Sequence, residues 1–235
     1  MIMPNLPVII FIWANIDRFG GGRTFLFHCL RRLPRMGYKP VVLDAGPFQR
    51  SLDEEARAFG PAIVRVPHRR FEQESRYWSR VHAEIEKLKP SLLFFGESRF
   101  AEDIFRSVSP GLPALNLCLV DRPDEKYYRH AAALAPRMAA TIGNSPVILK
   151  RLKETIEPKW HSRIHHLMIG VDIPPSTGVR TLHKPIRIIF MARLNKKPKR
   201  AHDLLPFARQ LAVAGIDYQL TVVGEGEEAF ALREA

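Results

Sequence analysis

The chain has 235 residues, 46% hydrophobic and 26% charged, a balance ordinary for a soluble globular protein. No stretch approaches the ~18 consecutive apolar residues of a membrane span, and the apolar run Leu6 to Trp13 lacks the basic flank and cleavage site of a signal peptide. Cys29 and Cys118 lie far apart in apolar surroundings, which argues against a disulfide framework and fits a reducing, cytoplasmic setting. The formal net charge is +12, and its excess sits in the middle of the chain. Residues 122–200 hold 17 Lys and Arg against 5 Asp and Glu, whereas residues 201–235 hold 2 against 6. Such a segment is either a solvated basic face or an attractor of phosphates, an anionic membrane surface or nucleic acid.

Short apolar runs alternate with helical patterns along the first part of the chain. Val8–Trp13, Val41–Ala45, Ala62–Val66, Leu92–Phe95, Ala114–Val120 and Ala139–Ile142 read as strands. Their near-continuous apolar character predicts a parallel sheet covered on both faces. Phe25, Cys29, Leu33 and Met36 recur at helical spacing before Gly37, with Pro34 ending or kinking the helix. Ser51 and Glu54 form a capping box for a second helix that runs to Gly60. Trp78, Val81, Ile85 and Leu88 make a third apolar stripe, stopped by Pro90. Ser145 before Pro146 predicts the cap and first turn of a helix over Val147–Lys153. The rhythm predicts an α/β, Rossmann-like, doubly wound domain over residues 1–172.

Residues 173–184 read as a linker, from the Pro, Ser and Gly of Ile173 to Gly178. The rhythm then restarts: Ile186–Met191 as a strand, Ala201–Val213 as a helix, and Tyr218–Val223 as a strand. Residues 185–235 amount to about 50 residues, short of the ~100–150 of a typical domain, so a partial second Rossmann-like domain is expected.

Three strand ends carry chemistry. Gly20, Gly21 and Gly22 lie between the first strand and first helix, where amides at a helix start favour an anionic group. The spacing is not that of a dinucleotide fingerprint, although Asp44 ends the second strand. The segment from Arg193 to Arg200 follows the first strand of the second domain, and its cations suit a pyrophosphate. The alternative is a basic loop or a nucleic-acid patch, but no aromatic residue interleaves with these cations to stack on bases. Gly224, Glu225 and Gly226 follow the next strand, as a ligand-contacting turn or a plain polar one. The trio His161, His165 and His166 has no carboxylate or Cys nearby and reads as surface or structural. Glu97 after the fourth strand faces the interdomain cleft or caps the next helix.

The glycine loop, Ile142–Ser145 (IGNS), 169–174 (IGVDIP), 192–205 (ARLNKKPKRAHDLL) and 220–228 (LTVVGEGEE) occur in this order. The set resembles glycosyltransferase family 4 of the GT-B fold over nearly the whole chain. The resemblance implies transfer of a sugar from a nucleotide-sugar donor to a saccharide or lipid-linked acceptor. It also implies retention of configuration, no cofactor and no obligatory metal. Arg193 and Lys199 would hold the donor pyrophosphate, Gly21 and Gly22 would approach the sugar phosphate, and Gly224, Glu225 and Gly226 would lie near the nucleoside. The catalytic His that many members carry after the strand matching Ala114–Val120 is missing; Asp121 either takes that place or is a strand-end turn residue. No pair of glutamates separated by seven residues, another family feature, occurs in this chain. The expectation is therefore a cytoplasmic enzyme, peripheral at an anionic membrane, whose active site is cut short. A nucleotide-sugar epimerase of the same fold, a nucleic-acid-binding protein and an inactive remnant are the alternatives, with nucleic acid the weaker partner.

Overall fold

The computed structural model describes residues 6–14, 16, 20–45, 51–96, 100–106, 108–121, 125–171, 173, 175, 184–197 and 199–234. The chain falls into two compact units, Met1–Val171 and Asp172–Ala235. The predicted linker over 173–184 lies largely outside the described residues, as does Glu97.

The first unit runs β1 (Val8–Trp13), α1 (Gly21–Arg32), β2 (Lys39–Asp44), α2 (Glu54–Arg57), β3 (Ile63–Arg65), α3 (Glu74–Leu88) and β4 (Leu92–Phe95). It continues with α4 (Ala101–Phe105), β5 (Ala114–Cys118), α5 (Glu125–Leu134), β6 (Ala140–Gly143), α6 (Pro146–Thr155) and β7 (Ile164–His166). The strands form one sheet in the order β3-β2-β1-β4-β5-β6-β7. Every neighbouring pair is parallel.

Alternation along each strand divides the core between two faces. Ile10, Ile12, Leu43, Leu93 and Phe95 pack with Trp78, Val81 and Ile85 of α3 and Ile104 of α4. Ile9, Phe11, Trp13, Val42 and Phe94 pack with Leu26, Phe27 and Leu30 of α1. Both sets are apolar because helices cover both faces, which is why the strands lack polar alternation. A third cluster joins Tyr128 and Ala131 of α5 to Ile148 and Leu152 of α6 and Ile164 of β7. This is the doubly wound α/β architecture that the sequence predicts.

The element boundaries show where short-range signals failed. α2 is capped by Asp53, whose carboxylate accepts from the Ala56 N–H at 2.9 Å, and not by Ser51. β5 stops at Cys118, two residues before its predicted end. Leu33–Met36 is a separate 3-10 turn starting at Pro34's tolerated first-turn position and closed by Gly37 in the left-handed region. α4, α5 and β7 were not predicted: two are five residues or fewer, and β7 presents two exposed histidines. The Ser145 cap is as predicted, its hydroxyl accepting from the Ile148 N–H at 3.3 Å with Pro146 in the first turn.

The second unit contains β8 (Ile186–Met191), α7 (Leu204–Val213), β9 (Tyr218–Val223) and α8 (Ala229–Arg233). β8 and β9 pair in parallel, Met191 opposite Val223. Ile186, Ile188 and Phe190 are half-buried, whereas Arg187, Ile189 and Met191 on the other face are exposed.

One ion pair ties the approach to α3. Glu72 accepts from Arg80 Nε at 2.8 Å and Nη2 at 2.7 Å, and from the Arg69 N–H at 3.0 Å. These bonds, Arg80 first, hold the Glu72 carboxyl down at about 2, from an ordinary 4.5. A depressed carboxylate stabilises the fold above its unfolded pKa and loses that contribution as pH falls toward its folded pKa. Glu72→Gln should therefore lower stability at neutral pH. The gap to wild type should stay level above pH about 5 and shrink on acidification below about 4.5. Urea denaturation of both proteins across this range checks it; a gap that does not change with pH counts against the pairing.

Candidate functional site

In an open parallel sheet, ligands bind beyond the carboxyl ends of the strands, where the strand order reverses. Here that point lies between β1 and β4, since β1 pairs with β2 on one side and β4 on the other. Four segments of the first unit follow strands at this edge. They are Gly20–Gly22 after β1, Gly96 after β4, Leu119–Asp121 after β5, and Asn144 and Ser145 after β6.

The glycines after β1 are not equivalent. Gly20 is the N-cap of α1, and no side chain caps the helix. A side chain on Gly20 or Gly21 would meet nothing within 4 Å, so both face open space beside the first amides of α1. This suits an anionic group. Gly22 is different: a Cβ there would lie 3.1 Å from Trp13 Cζ2 and 3.3 Å from Leu119 Cδ1. Gly22 is small so that α1 can close on β1, whereas the space beside Gly21 is open. Gly96 serves the same packing, because a Cβ there would collide with the Trp13 ring.

Among the described residues, Arg23, Asp53, Asp44 and Asp121 near this edge are engaged within the protein. Arg23 is 4% exposed. Its Nη2 lies 2.6 Å from Asp53 Oδ2 and 3.3 Å from Glu55 Oε2, and its guanidinium sits 4.6 Å from the centre of the Phe27 ring. Asp53 is held below its ordinary pKa by the Ala56 N–H and then by Arg23. Asp44 is fully buried and lies 3.3 Å from Arg65 Nε, so it is not offered to a ribose. Asp121 is exposed at the surface end of β5. It accepts from the Tyr128 hydroxyl at 2.7 Å and pairs with Arg151 Nε at 3.0 Å, joining α5 to α6. Burial, followed by the Asp121 carboxylate, raises the Tyr128 pKa. Asn144 Nδ2 donates to the Leu119 carbonyl at 3.2 Å, and its Oδ1 is buried with no partner among the described residues.

In the second unit, the strand-end loops are zipped together. Ala192 N–H donates to the Val223 carbonyl at 3.1 Å, Leu194 N–H to Glu225 at 2.8 Å, and Glu228 N–H to Leu194 at 3.0 Å. Gly224 has φ +150 and Gly226 φ +153. A Cβ on Gly224 would collide with the Ala192 carbonyl, and one on Gly226 with the Leu194 carbonyl. These two glycines permit two backbones to approach one another. Glu225 is exposed and contributes its carbonyl to this zipper. Glu227 Oε1 accepts from the Lys196 N–H at 3.1 Å, fixing the basic loop.

Within that loop the cations divide into two groups. Arg200 Nε pairs with Asp203 at 2.6 Å, and Lys196 Nζ lies 3.8 Å from Glu228. Arg193, Lys197 and Lys199 are exposed and have no acidic partner among the described residues. The loop after β8 therefore presents unneutralised cations on a backbone pinned by β9's glycine turn. What sequence reasoning missed is the Arg23–Asp53 pair and the Asn144–Leu119 hydrogen bond; Trp13 is a core residue, packed where Gly96 leaves room for its ring.

A shallow cavity of about 450 Å³ is lined by Trp78, Ser79, His82, Asp103 and Arg106 of α3 and the α4 end. His82 Nε2 lies 3.0 Å from the Asp103 carbonyl and Arg106 pairs with Asp103 at 3.2 Å, so these groups satisfy one another. No group of three or more metal-ligating side chains occurs among the described residues. No helix among them is long and apolar enough to cross a membrane.

No family model and no curated protein matches the chain. Solved structures do match. A lipopolysaccharide outer core galactosyltransferase, WaaB, is similar with a TM-score of 0.67 at 14% identity, over 97% of this chain and 63% of its own length. HepE of Anabaena, solved in complex with UDP and glucose, gives a TM-score of 0.58 at 12% identity over 92% of this chain and 69% of that one. A glycosyltransferase from Rickettsia africae gives 0.57 at 10% identity over 97% and 70%. The chain thus spans less than two thirds of the length of the galactosyltransferase. The fold it shares with these proteins is the GT-B fold.

Placing a methyl group on either zipper glycine tests the reading of the second unit. Gly224→Ala and Gly226→Ala should each destabilise it by roughly 1–3 kcal/mol, the scale of a strained backbone position. Hydrogen exchange of the Leu194 and Glu228 amides is the readout, and unchanged protection in both variants would remove the zipper.

Proposed function

We propose that the chain carries acceptor-side and donor-side elements of a nucleotide-sugar-dependent glycosyltransferase, of the family 4 type. The observation that carries this reading is the set of exposed cations Arg193, Lys197 and Lys199 beyond the carboxyl end of β8, which have no acidic partner among the described residues. Breaking the bond between a sugar's anomeric carbon and a nucleoside diphosphate leaves negative charge on the pyrophosphate. Fixed cations there stabilise that charge as it develops. Arg193 supplies a planar fork and Lys199 a point charge. HepE, of the same fold, binds UDP and glucose, which supports a nucleotide-sugar as the donor.

In this reading Gly21 lies toward the transferred sugar and Gly224 to Gly226 shape the nucleoside side through the loop they pin. Gly22 acts indirectly, through its packing on Trp13. Asp121, bound to Tyr128 and Arg151, is a joint between α5 and α6 and not the group that takes the acceptor's proton. The acceptor is a cell-envelope saccharide or lipid-linked carrier, handled at the cytoplasmic face of a membrane.

Titration calorimetry with UDP at low salt tests the cation assignment. Arg193→Ala and Lys199→Ala should each weaken binding about tenfold, the equivalent of ~1.4 kcal/mol, without moving the thermal midpoint. Unchanged affinity in both removes the pyrophosphate site. Membrane docking has its own check. The chain should sediment with phosphatidylglycerol vesicles at low salt and leave them as ionic strength rises, whereas salt-insensitive binding would rule out an electrostatic contact.

A further inference from the structure

We propose that Phe71, at the tip of a clamped turn over residues 67–72, is an anchor that docks the first unit on an anionic lipid bilayer, with Arg69 and Arg70 meeting the headgroup phosphates. This docking rests on the proposed membrane contact and gives it a residue and an edge of the sheet. Phe71 is 89% exposed, and between residues 63 and 80 no other large apolar side chain is exposed. The Glu72 N–H donates to the Arg69 carbonyl at 3.1 Å, which makes Phe71 the third residue of a tight turn. Its φ is +63, in the left-handed region that suits glycine or asparagine and strains a bulky residue. The core gains no packing from this ring, so its use lies outside the fold.

One arginine holds the turn from both ends. Arg80 of α3 donates through Nη2 to the Pro67 carbonyl at 2.7 Å, and through Nε and Nη2 to Glu72 at 2.8 and 2.7 Å. Glu72 also accepts from the Arg69 N–H at 3.0 Å, and the His68 ring lies against Tyr77 with centroids 4.9 Å apart. Phe71 thus projects from a braced support. The Arg70 guanidinium sits 4.9 Å from the centre of the Phe71 ring and is carried with it. Arg69 and Arg70 are exposed and have no acidic partner among the described residues, since Glu72 is taken by Arg80. Glu74 and Arg76, the next charges along the chain, offset each other. An aromatic ring with arginines at its base suits a bilayer interface, where the ring enters the acyl boundary and the guanidiniums stay with the phosphates. A stable protein interface buries about 800 Å² on each side, which one projecting ring does not supply. The turn follows β3, an outer strand, at the carboxyl ends of the parallel sheet. Docking through Phe71 turns that edge toward the lipid, the side from which a lipid-linked acceptor arrives.

Sedimentation of the full chain with vesicles tests the anchor, using phosphatidylglycerol mixed into phosphatidylcholine against phosphatidylcholine alone. Asparagine accepts the left-handed backbone, so Phe71→Asn should not lower the thermal midpoint. Its binding to the anionic vesicles should nevertheless weaken about tenfold. Arg69→Gln and Arg70→Gln should each weaken binding about fivefold at low salt, a difference that vanishes as salt rises. Phe71→Trp should bind as wild type does, and brominated acyl chains should quench its emission more than that of wild type. Met36→Ser removes another exposed apolar side chain, before β2 at the amino ends of the strands, and should change nothing. Equal vesicle binding by wild type and Phe71→Asn, or a loss in Met36→Ser alone, overturns the anchor and leaves the membrane contact standing. No binding of wild type to the anionic vesicles removes the membrane contact and the anchor with it. Dimerisation of wild type that Phe71→Asn abolishes, with vesicle binding equal in both, makes Phe71 a protein contact and overturns the lipid anchor.

Discussion

Parallel pairing of β1 with both β2 and β4 is the constraint from which the remaining geometry follows. A parallel neighbour can be reached only by a crossover. The chain steps from β1 through α1 to β2 and on to β3, then returns from β3 through α3 to β4 on the other side of β1. Crossovers of one hand in these two directions put their helices on opposite faces. α1 therefore packs on the Ile9, Phe11 and Trp13 face, and α3 on the Ile10 and Ile12 face. With both faces buried, no strand residue pointing to either side can do chemistry in water. The chemistry is left to the segments just beyond the carboxyl ends, and all seven strands of the first unit place those segments on one edge. The parallel β8–β9 pair applies the same rule to the second unit.

Glycines at that edge divide by what lies where a side chain would go. At Gly22, Gly96, Gly224 and Gly226 the space belongs to an indole or to a carbonyl of the chain itself. At Gly20 and Gly21 it is open. A glycine-rich turn therefore signals close approach without saying what approaches. In the second unit the partner is backbone: the loop that bears Arg193 and Lys199 is held by hydrogen bonds through Leu194.

The strands were legible because burial on both faces leaves long apolar runs, and β1, β4, β8 and β9 have their predicted limits. Helix starts were legible when the cap stood alone, as at Ser145, and misplaced where Ser51 and Asp53 compete two residues apart. Elements stabilised mainly by tertiary packing, such as α4 and β7, carry too few residues to show a period. Site residues were legible as types at strand ends, not as roles. Sequence spacing could not tell that Arg23 would turn inward to Asp53, since the two stand 30 residues apart. Nor could it tell that Trp13 would require Gly96.

The positive charge gains meaning once its partners are known. Near the first unit's strand ends, Arg23 meets Asp53 and Glu55, Arg65 meets Asp44, and Arg151 meets Asp121. A cation already paired at hydrogen-bond distance gives a ligand little unless the ligand displaces the carboxylate, which would then need a new partner. In the second unit, acidic side chains take Lys196 and Arg200 from the basic run and leave Arg193, Lys197 and Lys199 exposed. The acids there also work structurally, since Glu227 fixes the loop through the Lys196 amide. The net charge of +12 is thus a poor guide to an anion site, whereas the cations of the pinned loop that have no acidic partner among the described residues make a narrower candidate. In the proposed reading, an anionic group approaching the end of β8 would meet cations carried on a hydrogen-bonded backbone, and positive charge at that place stabilises a leaving pyrophosphate.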